Sequence, residues 1–267
     1  MARKGFVSSW LRRATEVPPY SQLAFIYDSV MRHVDYGAWA YYLSELFLRA
    51  DVDVREVVDI SCGTANLLLR LSDLDYRVAG FDESENMVRV ARHKILQRFL
   101  NIPVWCASMT RFALRHPVQA VVSTYDSINY CMNLETWSEV FTHALDALCI
   151  GGVFIFDICT ERNSRRNFQN YYDDGRCDRV EYNRHSYYLR RERVQVNEFL
   201  IQPLESDKAL YREVHRQRIY KISEIREVVP SQYFDVVGIY DGFTFRPGTE
   251  KSDRVHFVLK KKADVKW

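Results

Sequence analysis

The sequence predicts an α/β fold in which a doubly wound, mostly parallel sheet is interrupted late in the chain by an antiparallel β-lid. Two observations carry that expectation. Between residues 56 and 156, short and continuously apolar strands alternate with helical stretches, the pattern of a parallel sheet covered on both faces. After Asp157 that rhythm stops, and residues 179–220 contain segments in which apolar and polar residues alternate, as expected for half-exposed antiparallel strands.

Element by element, residues 20–50 read as two helices: Leu23, Ile26, Tyr27, Val30 and Met31 recur at helical spacing, as do Trp39, Tyr42, Leu43, Leu46 and Phe47, with a break near Asp35-Tyr36-Gly37. Strands are expected at residues 56–60, 77–81, 104–106, 120–123 and 152–156, with helices at 66–71, 85–99 and 134–148 between them. Two last strands, near 234–240 and 255–259, follow a helix at about 222–229. Right-handed crossovers then give a seven-stranded, Rossmann-like doubly wound sheet. Within the insertion, strands near 194–200 and 211–220 are expected, with turns near Asn183 and at 203–208. The domain division that follows is a flexible basic tail at 1–19, a core at 20–160 and 221–262, and a β-lid at 161–220.

Bulk properties narrow the class. The 267 residues are 47% hydrophobic and 27% charged, an ordinary globular balance. A net charge of +2 is too small to imply nucleic-acid binding, so any basic surface must be local. Seventeen tyrosines and fifteen phenylalanines suit an enclosed site that stacks and hydrogen-bonds a ligand. None of the six cysteines forms a Cys-x-x-Cys pair, so they read as reduced thiols and not as metal ligands. No apolar run approaches a membrane span, and the basic N-terminus lacks a signal-like apolar core. A cytoplasmic protein with no metal is expected; oligomeric state is not legible.

The most informative segment is Val57-Val-Asp-Ile-Ser-Cys-Gly-Thr-Ala-Asn66. A buried strand ends in a turn of small residues that opens a helix, so backbone can approach a ligand at the helix N-terminus. About twenty residues on, Asp82-Glu83 ends the second strand with acids, where a carboxylate can accept both hydroxyls of a ribose. The loop has Gly63 alone in place of a G-x-G-x-x-G run, and Asp59 would repel a pyrophosphate while suiting an ammonium group. The ligand expected is an adenosine joined to an amino acid, not a dinucleotide.

These residues resemble the first motif of the class I S-adenosylmethionine (SAM) dependent methyltransferases. Asp59, Cys62, Gly63 and Thr64 match it, while Ser61 and Ala65 stand where the family usually has glycine. The resemblance implies SAM as cofactor, Asp82 as the ribose acid and Met87 beside adenine. Cys106-Ala-Ser-Met109 matches the region after strand three, placing Ser108 and Met109 near the adenine. Tyr20-x-x-Leu-Ala-x-x-Tyr-Asp28, with Trp39, is similar to the helices with which a small-molecule branch of the family caps SAM, and Ser123-Thr-Tyr-Asp-Ser-Ile-Asn-Tyr130 to its strand-four motif. Cofactor contacts are therefore expected from Tyr20, Tyr27, Trp39, Asp59, Ser61, Gly63, Asp82, Glu83, Met87, Ser108, Met109 and Tyr125.

For catalysis, position nominates Asp126 and Tyr130, which follow strand four at the carboxyl edge of the sheet, where such folds bind ligands. Asp126 is expected to orient or deprotonate the acceptor. On an extended strand Glu213, His215 and Gln217 share one face, so His215 joins the candidates. Asp157 ends strand five in the same way, with turn capping as the bland alternative. Arg184, His185, Arg190, Arg191 and Arg193 form a basic cluster that is either a solvated lid face or a phosphate site. The expected activity is methyl transfer to N or O of a small molecule. RNA or protein as acceptor, and a non-catalytic SAM-binding or partner-binding module, stay open as alternatives.

Overall fold

The computed structural model describes residues 14–177, 179–205 and 209–264. The chain enters through a two-residue strand, β1 (Thr15–Glu16), a 3₁₀ turn at Leu23–Phe25 and a single-turn helix, α1 (Tyr27–Val30), before the long helix α2 (Tyr36–Arg49). The core then runs β2 (Glu56–Asp59), α3 (Asn66–Asp73), β3 (Arg77–Asp82), α4 (Glu85–Gln97), β4 (Val104–Cys106), β5 (Val118–Ser123), a 3₁₀ turn at Ser127–Tyr130, α5 (Leu134–Ala147) and β6 (Leu148–Cys159). A helix, α6 (Glu161–Asn167), leads into four strands, β7 (Tyr171–Cys177), β8 (Val180–Leu189), β9 (Val194–Pro203) and β10 (Tyr211–Arg218). Helix α7 (Ile222–Val228) returns the chain to β11 (Phe234–Asp241) and β12 (Arg254–Lys261).

The main sheet has seven strands in the order β11-β12-β6-β5-β2-β3-β4. All neighbours from β6 to β4 are parallel, whereas β12 runs antiparallel to both β6 and β11. Successive residues of each central strand serve opposite faces, as the two-residue period requires. Val57, Val153 and Ile155 pack under α2, α3 and α4; Val58, Phe154 and Phe156 pack under α5 and α7. Each strand is thus apolar throughout because both of its faces are covered. The chain reverses direction across the sheet between β2 and β5, so their carboxyl ends open a crevice at the switch point.

The second sheet has the order β1-β10-β9-β8-β7 and is antiparallel except for the β1–β10 pair. Its strand β7 lies inside the bounds expected for the lid but precedes the alternating segments read at 179–220. Three expectations need correction. The turn placed near Asn183 does not exist: β8 passes straight through it, and the chain reverses between Cys177 and Val180, which face each other. Burial decides this, because the Tyr182 ring lies over Gly175 and packs with Leu23 and Ile201. The tail expected at 1–19 does not hold at its inner end, since Thr15 and Glu16 pair with Tyr211 and Arg212; the rest of that expectation, over residues 1–13, lies outside the described residues. The first of the two N-terminal helices is reduced to α1. The backbone N–H groups of Tyr20, Gln22 and Leu23 donate to the carboxylate of Glu213 instead of to a helical ladder.

Three strand ends at the crevice are tied by charge. Arg254, at the start of β12, donates to Asp157 on β6 and, at 2.6 Å, to Asp126 in the loop after β5. Asp157 also accepts the backbone N–H of Asp126 at 2.9 Å. Burial pushes both carboxyl pKa values up and Arg254 opposes it, while the two carboxylates hold the guanidinium pKa above its usual value. Among the described residues no helix is long and apolar enough to cross a membrane.

Removing one partner of a buried ion pair leaves an uncompensated charge, at a cost of about 3–5 kcal/mol. Arg254→Met is expected to lose stability on that scale. Without the guanidinium the two carboxyls titrate higher still, so the folded variant holds protons that the unfolded chain releases. The deficit should therefore be smaller near pH 5 than near pH 8, as read by urea unfolding at both. An equal deficit at the two values would contradict this account of the cluster.

Candidate active site

The crevice has two halves. The first is built around the turn after β2. Gly63 and Ala65 both take left-handed backbone conformations, at φ 52° and 65°. Glycine adopts that region freely, whereas an alanine there costs about 1–2 kcal/mol. Strand β3 abuts the turn at Gly80, where a Cβ atom would lie 2.8 Å from Cys62 Cβ and Leu68 Cδ1. That close approach brings the end of β3 under the loop. Asp82 Oδ2 accepts the Gly63 N–H at 2.9 Å and its Oδ1 accepts the Ser84 N–H at 2.9 Å. Asp59, at the end of β2, accepts the Ser61 N–H at 3.0 Å.

Both acids are buried deeply enough that desolvation outweighs these hydrogen bonds. Burial raises the pKa of Asp59 to about 7 and that of Asp82 to about 6. Two carboxyls poised near neutrality beside backbone amides suit a ligand that brings hydroxyl and ammonium donors.

The remaining residues expected around a cofactor fall into three groups. Ser61 Oγ lies 3.0 Å from Ser123 Oγ, joining the turn to the end of β5. Met87 is buried in the first turn of α4, whose N-cap is Ser84, and Glu83 is exposed with its carbonyl accepting from the Cys106 thiol. Ser108 Oγ is paired with Thr110 Oγ1 at 3.0 Å, and Met109 is half-buried beside it.

Over this half lies the N-terminal cap. The Ser21 carbonyl accepts from Asn86, and Asp28 accepts from Thr64 Oγ1 at 2.6 Å and Asn66 Nδ2 at 2.8 Å while pairing with Lys94 at 2.6 Å. Trp39 is placed differently from the other expected cofactor contacts. It is buried behind the residues that line the cavity, with its ring 5.4 Å from the Arg254 guanidinium, which also sits 4.9 Å from the Tyr125 ring.

The second half is a cavity of about 430 Å³ between the carboxyl edge of the main sheet, the cap and the inner face of the second sheet. Tyr20, Tyr27, Tyr125, Asp126, Tyr130 and His215 all line it. Here four side chains are joined in series. Glu213 Oε2 lies 3.3 Å from His215 Nε2; His215 Nδ1 lies 2.8 Å from the Tyr130 hydroxyl; that hydroxyl lies 2.8 Å from the hydroxyl of Tyr20. Because a carboxylate only accepts, Nε2 carries the hydrogen, and in the neutral imidazole Nδ1 is then the acceptor for Tyr130. The O–H of Tyr20 then points to Tyr130, leaving the Tyr20 oxygen as the free acceptor at the cavity end. Burial raises the pKa of both phenols, so they remain neutral.

Asp126 is less free than its position suggested. Oδ1 is bound to Arg254, and Oδ2 accepts from Gln217 Nε2 at 2.6 Å. Both oxygens are engaged, which suits orientation and leaves no lone base. Asn129 is a strut: it donates to the Arg218 carbonyl at 2.7 Å and accepts from Cys159 N–H at 3.1 Å, tying β10 to the end of β6. Arg254 escaped the sequence reading altogether. Its signal was slight: a cation heading a run, 255–259, that is apolar except for His256.

The basic cluster of the lid does not form one patch. Arg190 and Arg191 are exposed at the β8–β9 turn, Arg193 pairs with Glu224 at 2.8 Å, and His185 stacks on Tyr172 at 4.3 Å. Arg184 alone turns into the cavity.

Known proteins agree with this architecture. Residues 57–152 match the family model of a methyltransferase domain. A protein of Geobacillus sp. (strain WCH70), whose name assigns it methyltransferase activity provisionally, is 26% identical over 245 residues, spanning 91% of this chain and 99% of that one. Two solved structures share the fold. A SAM-dependent methyltransferase from Clostridium acetobutylicum ATCC 824 aligns with TM-score 0.77 at 21% identity, covering 91% of this chain and 99% of its own. The sugar N-methyltransferase KedS8 from Streptoalloteichus sp ATCC 53650 aligns with TM-score 0.70 at 18% identity, covering 90% and 93%. With its glycine turn, its strand-end acid and its closing antiparallel strand, the chain shares the fold of SAM-dependent methyltransferases, and its residues 57–152 match the methyltransferase domain model.

Proposed function

We propose that the protein moves a methyl group from SAM to a nitrogen or oxygen of a small-molecule acceptor held in the cavity beneath the second sheet. The observation that carries this reading is the cavity itself: about 430 Å³, bounded on one side by the strand ends and roofed by a polar sheet face. That is the scale and setting of a small-ligand pocket and not of an open groove for a polymer. The likeness to a sugar N-methyltransferase supports the same class of acceptor.

The donor belongs to the first half of the crevice. Asp82 offers its oxygens to the ribose hydroxyls, Asp59 serves the ammonium group directly or through water, and the turn at Ser61 and Gly63 passes beside the amino-acid portion. Met87, Ser108 and Met109 lie on the adenine side, and the cap carrying Tyr20 and Tyr27 closes over the top. SAM, when bound, supplies a methyl group already activated by a sulfonium, so its departure calls for no acid. What the chain must do is place the acceptor in line, exclude water and take one proton. The Tyr20 oxygen is the natural acceptor of that proton's hydrogen bond. Tyr130 passes the proton on to His215, and Glu213 stabilises the imidazolium that results. Asp126, held by Arg254 and Gln217, positions the acceptor and the loop that carries Tyr130.

Two outcomes test this assignment. His215→Gln is expected to lower kcat by about 10²–10⁴, the range for removing a general base, while SAM affinity measured by calorimetry stays unchanged, because His215 lies in the other half of the crevice. A variant with normal turnover would remove His215 from the mechanism.

The donor half predicts a pH dependence. Asp82→Ala should weaken SAM by about 1.5–3 kcal/mol, the scale of hydrogen bonds to a charged group. In the wild type, Asp59 and Asp82 take up protons as pH falls through about 7 and about 6. Their raised values mean that ionising them costs folded-state stability as pH rises, a cost that bound donor groups offset. The increase in Tm given by SAM should therefore be larger near pH 8 than near pH 5. A Tm gain independent of pH would count against both acids.

A further inference from the structure

The inner face of the second sheet holds a group of hydrogen-bond donors that the methyl-transfer relay does not use. Strand register puts Arg184 opposite Phe199, Ser186 opposite Asn197 and Tyr188 opposite Gln195, so these side chains share the face turned toward the cavity. On the other flank of β9, Asn197 faces His215 and Gln195 faces Gln217. The group therefore sits one strand from the relay.

Its acceptors are already consumed. Arg184 Nε donates to Ser186 Oγ at 3.0 Å, and Nη2 donates to Asn197 Oδ1 at 2.8 Å. Asn197 Oδ1 also takes the Ser186 hydroxyl at 2.6 Å. A guanidinium can only donate, so this pairing fixes the Asn197 amide with its NH₂ turned the other way. In the same manner Gln195 Oε1 accepts the Ser164 hydroxyl at 2.7 Å. What is left facing the cavity is Arg184 Nη1, Asn197 Nδ2 and Gln195 Nε2: three donors and no acceptor. Gln195 and Asn197 are only 3% and 7% exposed, yet their amide nitrogens have no protein partner among the described residues, and both line the cavity.

Charge points the same way. Among the described residues no carboxylate lies within ion-pair distance of Arg184. Asp173, its opposite on β7, accepts the Tyr182 hydroxyl at 3.2 Å instead. The Arg184 guanidinium is enclosed by the rings of Phe168, Tyr171 and Phe199 at 5.4–5.5 Å. These rings exclude water and hold the cation without neutralising it. A partly desolvated cation flanked by two unpaired amide donors is complementary to one ligand chemistry, an oxyanion that accepts several charge-assisted hydrogen bonds.

We propose that Arg184, Asn197 and Gln195 form an oxyanion subsite that holds a carboxylate or phosphate group of the methyl acceptor. The subsite stands on its own geometry; its identification with the acceptor rests on the methyl-transfer reading. The anion would anchor one end of the molecule on the sheet while the reacting atom reaches Tyr20 and Tyr130 at the other.

The test uses the full chain with SAM present and reads Tm in sodium phosphate, sodium acetate and sodium chloride at matched ionic strength. Phosphate or acetate should raise Tm over chloride by about 3–5 °C at tenfold excess over Kd. A response to phosphate alone marks a phosphorylated acceptor, and a response to acetate alone a carboxylate. Arg184→Gln should abolish the gain while leaving SAM affinity unchanged. Asn197→Asp, which supplies an internal counter-charge with little change in shape, should abolish it too. Equal Tm in all three salts, or a gain that survives in both variants, overturns the subsite. Failure of the wild type to bind SAM would instead overturn the methyl-transfer reading, and the anion response without SAM would still decide the subsite.

Discussion

The guanidinium of Arg254 is the joint on which the arrangement of this site depends. It arrives from β12 and meets Asp157 from β6 and Asp126 from the loop after β5. Desolvating any one of these charges alone would be prohibitive; together they are tolerated because each supplies the others' counter-charge. The cluster also fixes a backbone that would not hold itself. Tyr125 and Asp126 both sit in the left-handed region, at φ 60° and 52°, a strain of about 1–3 kcal/mol each that surrounding bonds must over-determine. The ring of Tyr125 covers one side of the guanidinium, and Trp39 braces it as well. From this fixed loop the next turn delivers Ile128 to the core, Asn129 to the second sheet and Tyr130 to the cavity.

Glu213 plays the matching part for the roof. Its carboxylate is fully buried and receives three backbone N–H groups from the cap as well as the imidazole of His215. One side chain thereby ties the cap that lies over the glycine turn to the sheet that roofs the cavity. Apolar packing reinforces the tie, with Leu23, Ile26 and Val30 set against Tyr182, Phe199 and Ile201. The cap is pinned at its other end by Asp28 to the glycine turn and to Lys94.

Much of this was legible in the sequence wherever local pattern and global fold agree. The main-sheet strands are apolar on both faces and are bounded by turn residues, so their presence and order could be read directly. The alternation of Glu213, His215 and Gln217 announced a shared face, because strand geometry leaves no other choice. The rest depended on partners far away in the chain. Leu23 to Val30 carries a helical pattern, yet Glu213, nearly two hundred residues on, captures the N–H groups that would begin that helix. Asn183 has turn chemistry, but burial of neighbouring Tyr182 keeps it in a strand. Asp126 was placed at the right edge from its position after β5, while the pairing that occupies both its oxygens comes from Arg254, which has no local signature. The donor group of Arg184, Asn197 and Gln195 is likewise invisible until β8 and β9 are laid side by side.

The placement of β12 has a consequence for the order in which the molecule can assemble. This strand, Arg254–Lys261, lies inside the main sheet, between β6 and β11, although it is the last one described along the chain. Until it arrives, β6 is an open edge backed by Phe154 and Phe156, with no neighbour on one flank. It also carries Lys261, whose ammonium caps the carbonyls of Leu145 and Leu148 where α5 runs into β6 without a connecting loop. A nascent chain emerging from its N-terminus can therefore build the glycine turn and the strands around it early, but cannot finish the sheet, the helix cap or the ion cluster until β12, which follows them in the chain, is made. Closure of the fold and completion of the cavity floor are in that sense a single late event.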